Sequence, residues 1–228
     1  LERYAEFLKE NGVNRVNVSL DHLDPNKFKE ITRWGDLNKV IAGIKKAKSV
    51  GIKVKINTVA LKDFNEKNIV EIIEWCSSNE YDMTLIEVMP MGDIGSENRF
   101  NQYLPLSKVK ETLSKSFKLT NIPKKTGGPA RYYKIEGKKI DLGFITPLTH
   151  NFCETCNRVR LTCTGILYMC LGQNDNVNLK DILRNKGLSY LENSLFKAIS
   201  KKPKGHDFNI SKSGINVSSN RHMSVTGG

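Results

Sequence analysis

Between residues 13 and 91 the chain alternates two kinds of hydrophobic spacing. Arg15-Val16-Asn17-Val18-Ser19-Leu20-Asp21 alternates with a period of two, as a strand does when one face is covered. Asp24-Pro25 opens a short helix with proline in its first turn, where the missing amide has no partner to lose. A second helix takes Asp36 as its cap, aligns Val40, Ile44 and Ala47 on one face, and stops at Gly51. Ile52 to Leu61 reads as the next strand. Asn65 stands where it would cap a helix carrying Ile69, Ile72, Ile73 and Cys76, and Met83 to Met89 forms a third strand before Pro90. Strand and helix in strict alternation predict parallel strands with right-handed crossovers, in an open sheet or a barrel.

The polar positions within those strands favour the barrel. Val16, Val18 and Leu20 share a face and leave Asn17, Ser19 and Asp21 on the other. Ile52, Val54 and Ile56 are opposed by Lys55 and Asn57, and Leu85, Glu87 and Met89 fall on one side of the third strand. A strand between helices and a dry core should be almost continuously apolar. Polar residues on one face of three successive strands predict a wet, ligand-lined interior with its working residues at the strand C-terminal ends. A sheet face open to solvent is the plainer alternative.

After Gly92 the pattern changes. Leu106, Val109 and Leu113 mark a helix, Gly127-Gly128-Pro129 interrupts the chain, and Arg131 to Ile145 reads as a hairpin with Gly137 near its turn. Two helices are expected near 178–185 and 188–200. The segment 201–228 has little periodicity and reads as an extended tail. Leu1, Ala5 and Leu8 already repeat at helical spacing, so the chain is expected to be the back part of something longer.

The composition adds two constraints. With 228 residues, 39% hydrophobic and 26% charged, the chain belongs with globular proteins rather than disordered ones. No apolar run approaches the roughly 20 residues of a membrane helix, so no spanning segment is expected. Lys and Arg number 36 against 24 Asp and Glu, a formal charge of +12. Solvated lysines on helix faces account for such an excess, and a polyphosphate, nucleic acid or membrane surface would also suit it.

The five cysteines change the picture more. Cys153-Glu154-Thr155-Cys156 brings two thiols within reach of one metal centre, and Arg158 to Leu171 reads as a hairpin turning at Thr164-Gly165 that returns Cys170 to them. A zinc ribbon needs four ligands, and the second pair here is incomplete, although His150 could complete a zinc set. Three cysteines suit an iron–sulfur cluster with one open iron. The spacing by itself leaves cluster, zinc and redox disulfide open. Arg158 and Arg160 alternate beside the pair and carry guanidinium forks suited to phosphate. Cys76 reads as a packed core thiol and Cys163 as a turn residue without a role, while Trp34 and Trp75 are placed like packing residues.

Several of these runs resemble one family. Asn17-Val18-Ser19-Leu20-Asp21, the strand around Lys55, Ile86-Glu87-Val88-Met89-Pro90 and Gly128-Pro129-Ala130-Arg131-Tyr132-Tyr133 are similar to segments of the molybdenum cofactor biosynthesis A family. So are the Cys153, Cys156, Cys170 spacing, Arg158-Val159-Arg160 and the closing Gly227-Gly228. These are the GTP 3′,8-cyclases among the radical S-adenosylmethionine enzymes. The likeness runs from about residue 13 to the last residue.

The resemblance implies an α/β fold: the second half of a partial (βα)6 TIM-type barrel over 1–92, then a C-terminal α+β region over 93–200. That region would hold a second 4Fe–4S cluster on Cys153, Cys156 and Cys170, and the tail over 201–228 would end in Gly-Gly. It implies GTP bound through Lys55, Arg158 and Arg160, S-adenosylmethionine contacted by Ser19 and Met89, and a catalytic tail at Gly227 and Gly228. It further implies a cytoplasmic homodimer that binds neither nucleic acid nor membrane, with a cyclic pyranopterin monophosphate synthase acting on its product. Two departures stand out. The Cys-x3-Cys-x2-Cys motif that holds the family's first cluster occurs nowhere in this sequence, so this polypeptide alone is not expected to generate a radical. Thr84 stands where some relatives carry a phosphate-reaching arginine. A non-enzymatic zinc-binding module with a basic surface would explain the cysteines and charge but not the polar strands or the Gly-Gly end, and a degenerate copy without activity is a second alternative.

Overall fold

The computed structural model describes residues 1–89, 101–150, 152–206, 209–211, 214–216, 221 and 225. Pro90, Gly92, Gly227 and Gly228 lie outside them. The alternation read from the sequence is present: β1 (Arg15–Ser19), β2 (Lys53–Ala60) and β3 (Asp82–Glu87) pair in parallel in that order. Between them run α2 (Pro25–Thr32), α3 (Leu37–Ser49) and α4 (Ile69–Ser78), with α1 (Ala5–Glu10) ahead of β1. Asp24 and Asp36 cap as expected. Each carboxylate accepts from two first-turn amides, Asn26 and Lys27 in one case and Asn38 and Lys39 in the other, a gain of about 1 kcal/mol per cap.

Asn65 does something else. A 3-10 turn over Glu66–Asn68 precedes α4, and Asn65 is fully buried. Its carboxamide accepts from Leu61 N–H and donates to the Asp21 and Val59 carbonyls, tying the ends of β1 and β2 together. Glu87 is also an anchor, not a lining residue. Buried at the end of β3, it accepts from the amides of Leu106, Leu148 and Thr149 and from the Thr149 hydroxyl. It thereby starts α5 (Leu106–Leu113).

The hairpin of β5 (Arg131–Ile135) and β6 (Asp141–Ile145) extends the same sheet, because β6 pairs in parallel with β3. A strand the periodicity did not suggest, β4 (Leu119–Ile122), closes the order β1-β2-β3-β6-β5-β4. The result is a mixed α/β architecture with a parallel-rich sheet. Its core includes Leu20, Ile44, Ile56, Ile72, Leu85 and Leu142, all fully buried. Trp75 packs on Tyr81 at 5.4 Å between ring centroids, whereas Trp34 is 92% exposed and packs no core, contrary to its sequence reading.

The chain divides into two compact units. The first holds residues 1–88 and 102–149, the second 89–101 and 150–228. In the second unit β7 (Arg160–Leu161), β8 (Ile166–Tyr168) and β9 (Asn176–Asn178) form an antiparallel sheet. Helices α6 (Leu179–Lys186) and α7 (Leu188–Ser200) follow. Residues 209–211 and 214–216 pair as β10 and β11, so the stretch read as an extended tail contains a short hairpin. No helix among the described residues is long and apolar enough to cross a membrane.

Candidate active site

Strand register decides which polar side chains share a face of the large sheet. Ser19, Asn57, Thr84, Gly143 and Tyr132 form one row across β1, β2, β3, β6 and β5. Two residues back along the strands, Asn17, Lys55 and Asp82 form a second row, and Asp141 and Lys134 continue it. A period of two puts both rows on one face. Ser19, at the end of β1, is exposed on it; Thr84 is fully buried in the middle of its row.

Lys55 is 9% exposed and its Nζ donates to Tyr132 Oη at 3.2 Å. Thr126 Oγ1 lies 3.0 Å from the same phenol oxygen. Gly143 makes room for this ring: a Cβ there would stand 3.0 Å from Tyr132 Cε1 and 3.1 Å from Thr84 Oγ1. Burial pushes the Tyr132 phenol up, but the hydrogen bonds from Thr126 and Lys55 and the lysine's charge leave it below its ordinary value. Lys124 donates to Asp82 at 2.9 Å and to Asp141 at 2.5 Å, and Lys134 pairs with Asp141. Burial raises the Asp141 carboxyl, yet the two lysines outweigh it and hold it below the usual carboxylate range. Lys124 and Lys134 are thus matched by carboxylates. Lys55, among the described residues, meets a phenol and no carboxylate. Asn57 Oδ1, on the same face, is buried with no hydrogen-bond partner among the described residues.

The second unit carries the cysteines. Cys153 opens a 3-10 turn, and Cys156 N–H donates back to its carbonyl at 3.1 Å. The β7–β8 hairpin turns at Gly165, whose φ of +82° is in the left-handed region and where a Cβ would stand 2.6 Å from Lys180 Cβ. The turn brings Cys170 back. Burial pushes the Cys153 thiol up, a hydrogen bond from the His206 backbone lowers it, Cys170 and Cys156 raise it, and Lys202 lowers it. All three cysteines therefore share one neighbourhood. Beside them is a cavity of about 370 Å³ lined by Cys153, Glu154, Cys156, Lys202, Pro203 and Lys204. Among the described residues no three His, Cys, Asp or Glu side chains converge as a single-ion site requires. Thiolates are soft donors that select zinc or iron–sulfur clusters, and a cluster of several irons spaces its ligands more widely than one ion does.

Arg160 lies in β7 and Arg158 two residues before it, exposed. Met89 is partly buried, two residues past β3. Lys55 and Ser19 belong to the first unit, and Met89, Arg158, Arg160 and the cysteine ligand candidates to the second. Cys76 is fully buried with its thiol pushed up to about 12, and Cys163 is exposed. The sequence reading gave no role to Tyr132, Thr126 or Lys124. The alternation of Tyr132 and Lys134, like that of Asp82 and Thr84, was the available signal, and only register reveals that these strands share the face of Lys55.

Comparison with known proteins bears on both units. The Radical SAM superfamily model matches residues 1–76, and the Molybdenum Cofactor Synthesis C model matches residues 81–208. The chain is 56% identical over 229 residues to a GTP 3′,8-cyclase of Brucella ovis, which covers 100% of this chain and 66% of the relative. With the same coverage it is 56% identical to a protein of that name from Rhizobium leguminosarum bv. trifolii and 55% identical to one from Rhizobium etli. The chain spans 66% of the length of these curated relatives. With more than half of its residues matched by one family model, the chain belongs to the Molybdenum Cofactor Synthesis C family and carries a Radical SAM segment ahead of that region.

Proposed function

We propose that this chain is the part of a GTP 3′,8-cyclase of molybdenum cofactor biosynthesis that binds the nucleotide and a second 4Fe–4S cluster. The whole enzyme converts GTP to (8S)-3′,8-cyclo-7,8-dihydroguanosine 5′-triphosphate, as a cytoplasmic homodimer whose product passes to a cyclic pyranopterin monophosphate synthase. Residues 1–92 serve as the last three βα units of a partial barrel, 93–200 as the cluster region and 201–228 as the tail. Cys153, Cys156 and Cys170 would hold the second cluster, which would offer the purine a metal-binding position. Ser19 and Met89 would contact bound S-adenosylmethionine, and Gly227 and Gly228 would act at the end of the reaction.

One observation carries this reading. A buried ammonium without a carboxylate carries a desolvation penalty, and Lys55 is held in that state by Tyr132 beside two lysines already neutralised by Asp82 and Asp141. An anion on this face relieves the penalty. Charge-assisted bonds from Lys55 to the triphosphate oxygens do this while orienting the nucleotide, and the Arg158 and Arg160 forks of the second unit are further groups suited to phosphate. Asn57 Oδ1 offers an acceptor on the same face.

Oxygen-free purification followed by iron analysis and GTP titration tests the reading. The expected result is about four irons per chain on this cysteine set. Lys55→Met should weaken GTP binding by about tenfold or more, the loss of one charge-assisted hydrogen bond. One zinc with no iron, or GTP binding unchanged in Lys55→Met, overturns it.

A further inference from the structure

Met169 and Leu171 flank Cys170, and both of their carbonyls are taken by cations from later in the chain. Lys202 Nζ donates to Met169 O at 2.8 Å and also to Arg158 O at 2.9 Å. Arg158 stands two residues beyond Cys156, so this ammonium fastens the segment carrying Cys156 to the one carrying Cys170. On the other flank, Arg221 donates to Leu171 O at 3.1 Å and to Gln173 O. Its guanidinium carbon stands 3.7 Å from the centroid of the Tyr168 ring, so stacking fixes the plane from which those bonds are made.

These bonds join parts of the fold that regular pairing does not. β7 and β8 are paired only over Arg160–Leu161 and Leu167–Tyr168, so the ladder ends before Cys170. The apolar cluster beneath has three buried residues, Leu167, Met169 and Ala198. Lys202 also bears on the charge of Cys153 and lines the cavity beside Cys153 and Cys156.

We propose that Lys202 and Arg221 are positioning residues for the second cluster, gripping the carbonyls on both flanks of Cys170 so that its thiolate is held opposite the Cys153–Cys156 turn, with the Lys202 charge beside the anionic cluster. The proposal rests on the cluster assignment made above. Outer partners that orient metal ligands matter for retention about as much as they do for tuning. Reduction adds negative charge to the cluster, so a nearby ammonium favours the reduced form.

The test compares the wild-type protein, purified without oxygen and reconstituted with iron and sulfide, with Lys202→Met, Lys202→Arg and Arg221→Met. Circular dichroism and hydrogen exchange across β8 confirm that each is folded. Lys202→Met and Arg221→Met should release iron to a chelator about tenfold faster than wild type, within the range for lost outer-shell partners. Lys202→Met should also shift the cluster potential, followed by electron paramagnetic resonance, to a more negative value, and Lys202→Arg should restore it. A merely structural role for Lys202 would not move the potential. Wild-type release rates and an unchanged potential in both methionine variants overturn the clamp while leaving the cluster assignment standing. A wild-type protein that takes up no four-iron cluster overturns that assignment itself.

Discussion

In the first unit the polar face of the sheet lies over a core that includes Leu20, Ile56, Leu85 and Phe144, and its charges are matched through Lys124, Lys134, Asp82 and Asp141. In the second, the cysteine hairpin lies over Leu167, Met169 and Ala198, with cations on its carbonyls and Leu188, Tyr190 and Phe196 left exposed nearby. One region is shaped by apolar burial and carries on its polar face a buried lysine, Lys55, that meets no carboxylate among the described residues. The other buries too little apolar surface to fix its cysteine segments, and charge-assisted bonds hold them instead. A site built the first way is present before its ligand arrives. A site built the second way gains much of its order from what it binds, as small metal-binding units generally do.

Truncating one leucine in each core gives the largest contrast. Leu85 is fully buried in the middle of the parallel sheet, where neighbours on every side are held by strand pairing. Leu85→Ala should cost about 4 kcal/mol, because the cavity cannot collapse. Leu167, 3% exposed above a three-residue core, has neighbours free to close the gap, and Leu167→Ala should cost about 2 kcal/mol. Both tryptophans are in the first unit, so urea unfolding followed by Trp75 emission reads the first variant, and hydrogen exchange across β8 reads the second. Equal costs would remove the distinction between the two units.

The same distinction explains what was legible in the sequence. Where apolar burial governs, period and caps suffice: β1, β2, β3, α2 and α3 lie where alternation, Asp24 and Asp36 put them. Two misreadings fall where a polar side chain acts over a distance. Glu87 alternates like a lining residue, but its partners Leu148 and Thr149 are 61 and 62 residues away, and no local pattern records that. Asn65 sits at a capping position yet spends its carboxamide on Asp21 and Val59. Short strands such as β4 and β9 are set by their neighbours rather than by their own composition. The cysteines and Lys55 could be picked out individually, whereas Tyr132, Lys202 and Arg221 acquire meaning only through contacts 77, 33 and 50 residues distant.

A smaller effect separates the units by acidity. The folded Asp141 carboxyl lies below its ordinary 3.8 because Lys124 and Lys134 outweigh its burial. A depressed carboxyl adds stability that is complete above the unfolded value and is lost as pH falls through the folded one. The first unit should therefore lose stability as pH falls below about 4, and Asp141→Asn should flatten that loss. Urea midpoints from Trp75 emission across this window provide the measurement; an identical slope in Asp141→Asn would show that the lysines contribute nothing to the depressed carboxyl.

The finest distinction concerns Tyr132, which either only fills the space left by Gly143 or also aims Lys55. Tyr132→Phe keeps the ring, its packing against Gly143 and its place beneath Lys124, and removes only the oxygen shared by Lys55 and Thr126. If the ring only packs, GTP binding is unchanged. If the phenol holds the ammonium over the polar face, the freed lysine samples other rotamers and GTP binding weakens by about fivefold, the worth of one net hydrogen bond near 1 kcal/mol. A combined Tyr132→Phe and Lys55→Met variant decides between these, since an oxygen that acts through the lysine adds nothing once the lysine is gone. Additive losses would mean that Tyr132 meets the nucleotide itself, and the first unit's preformed site would then include the phenol as a direct ligand.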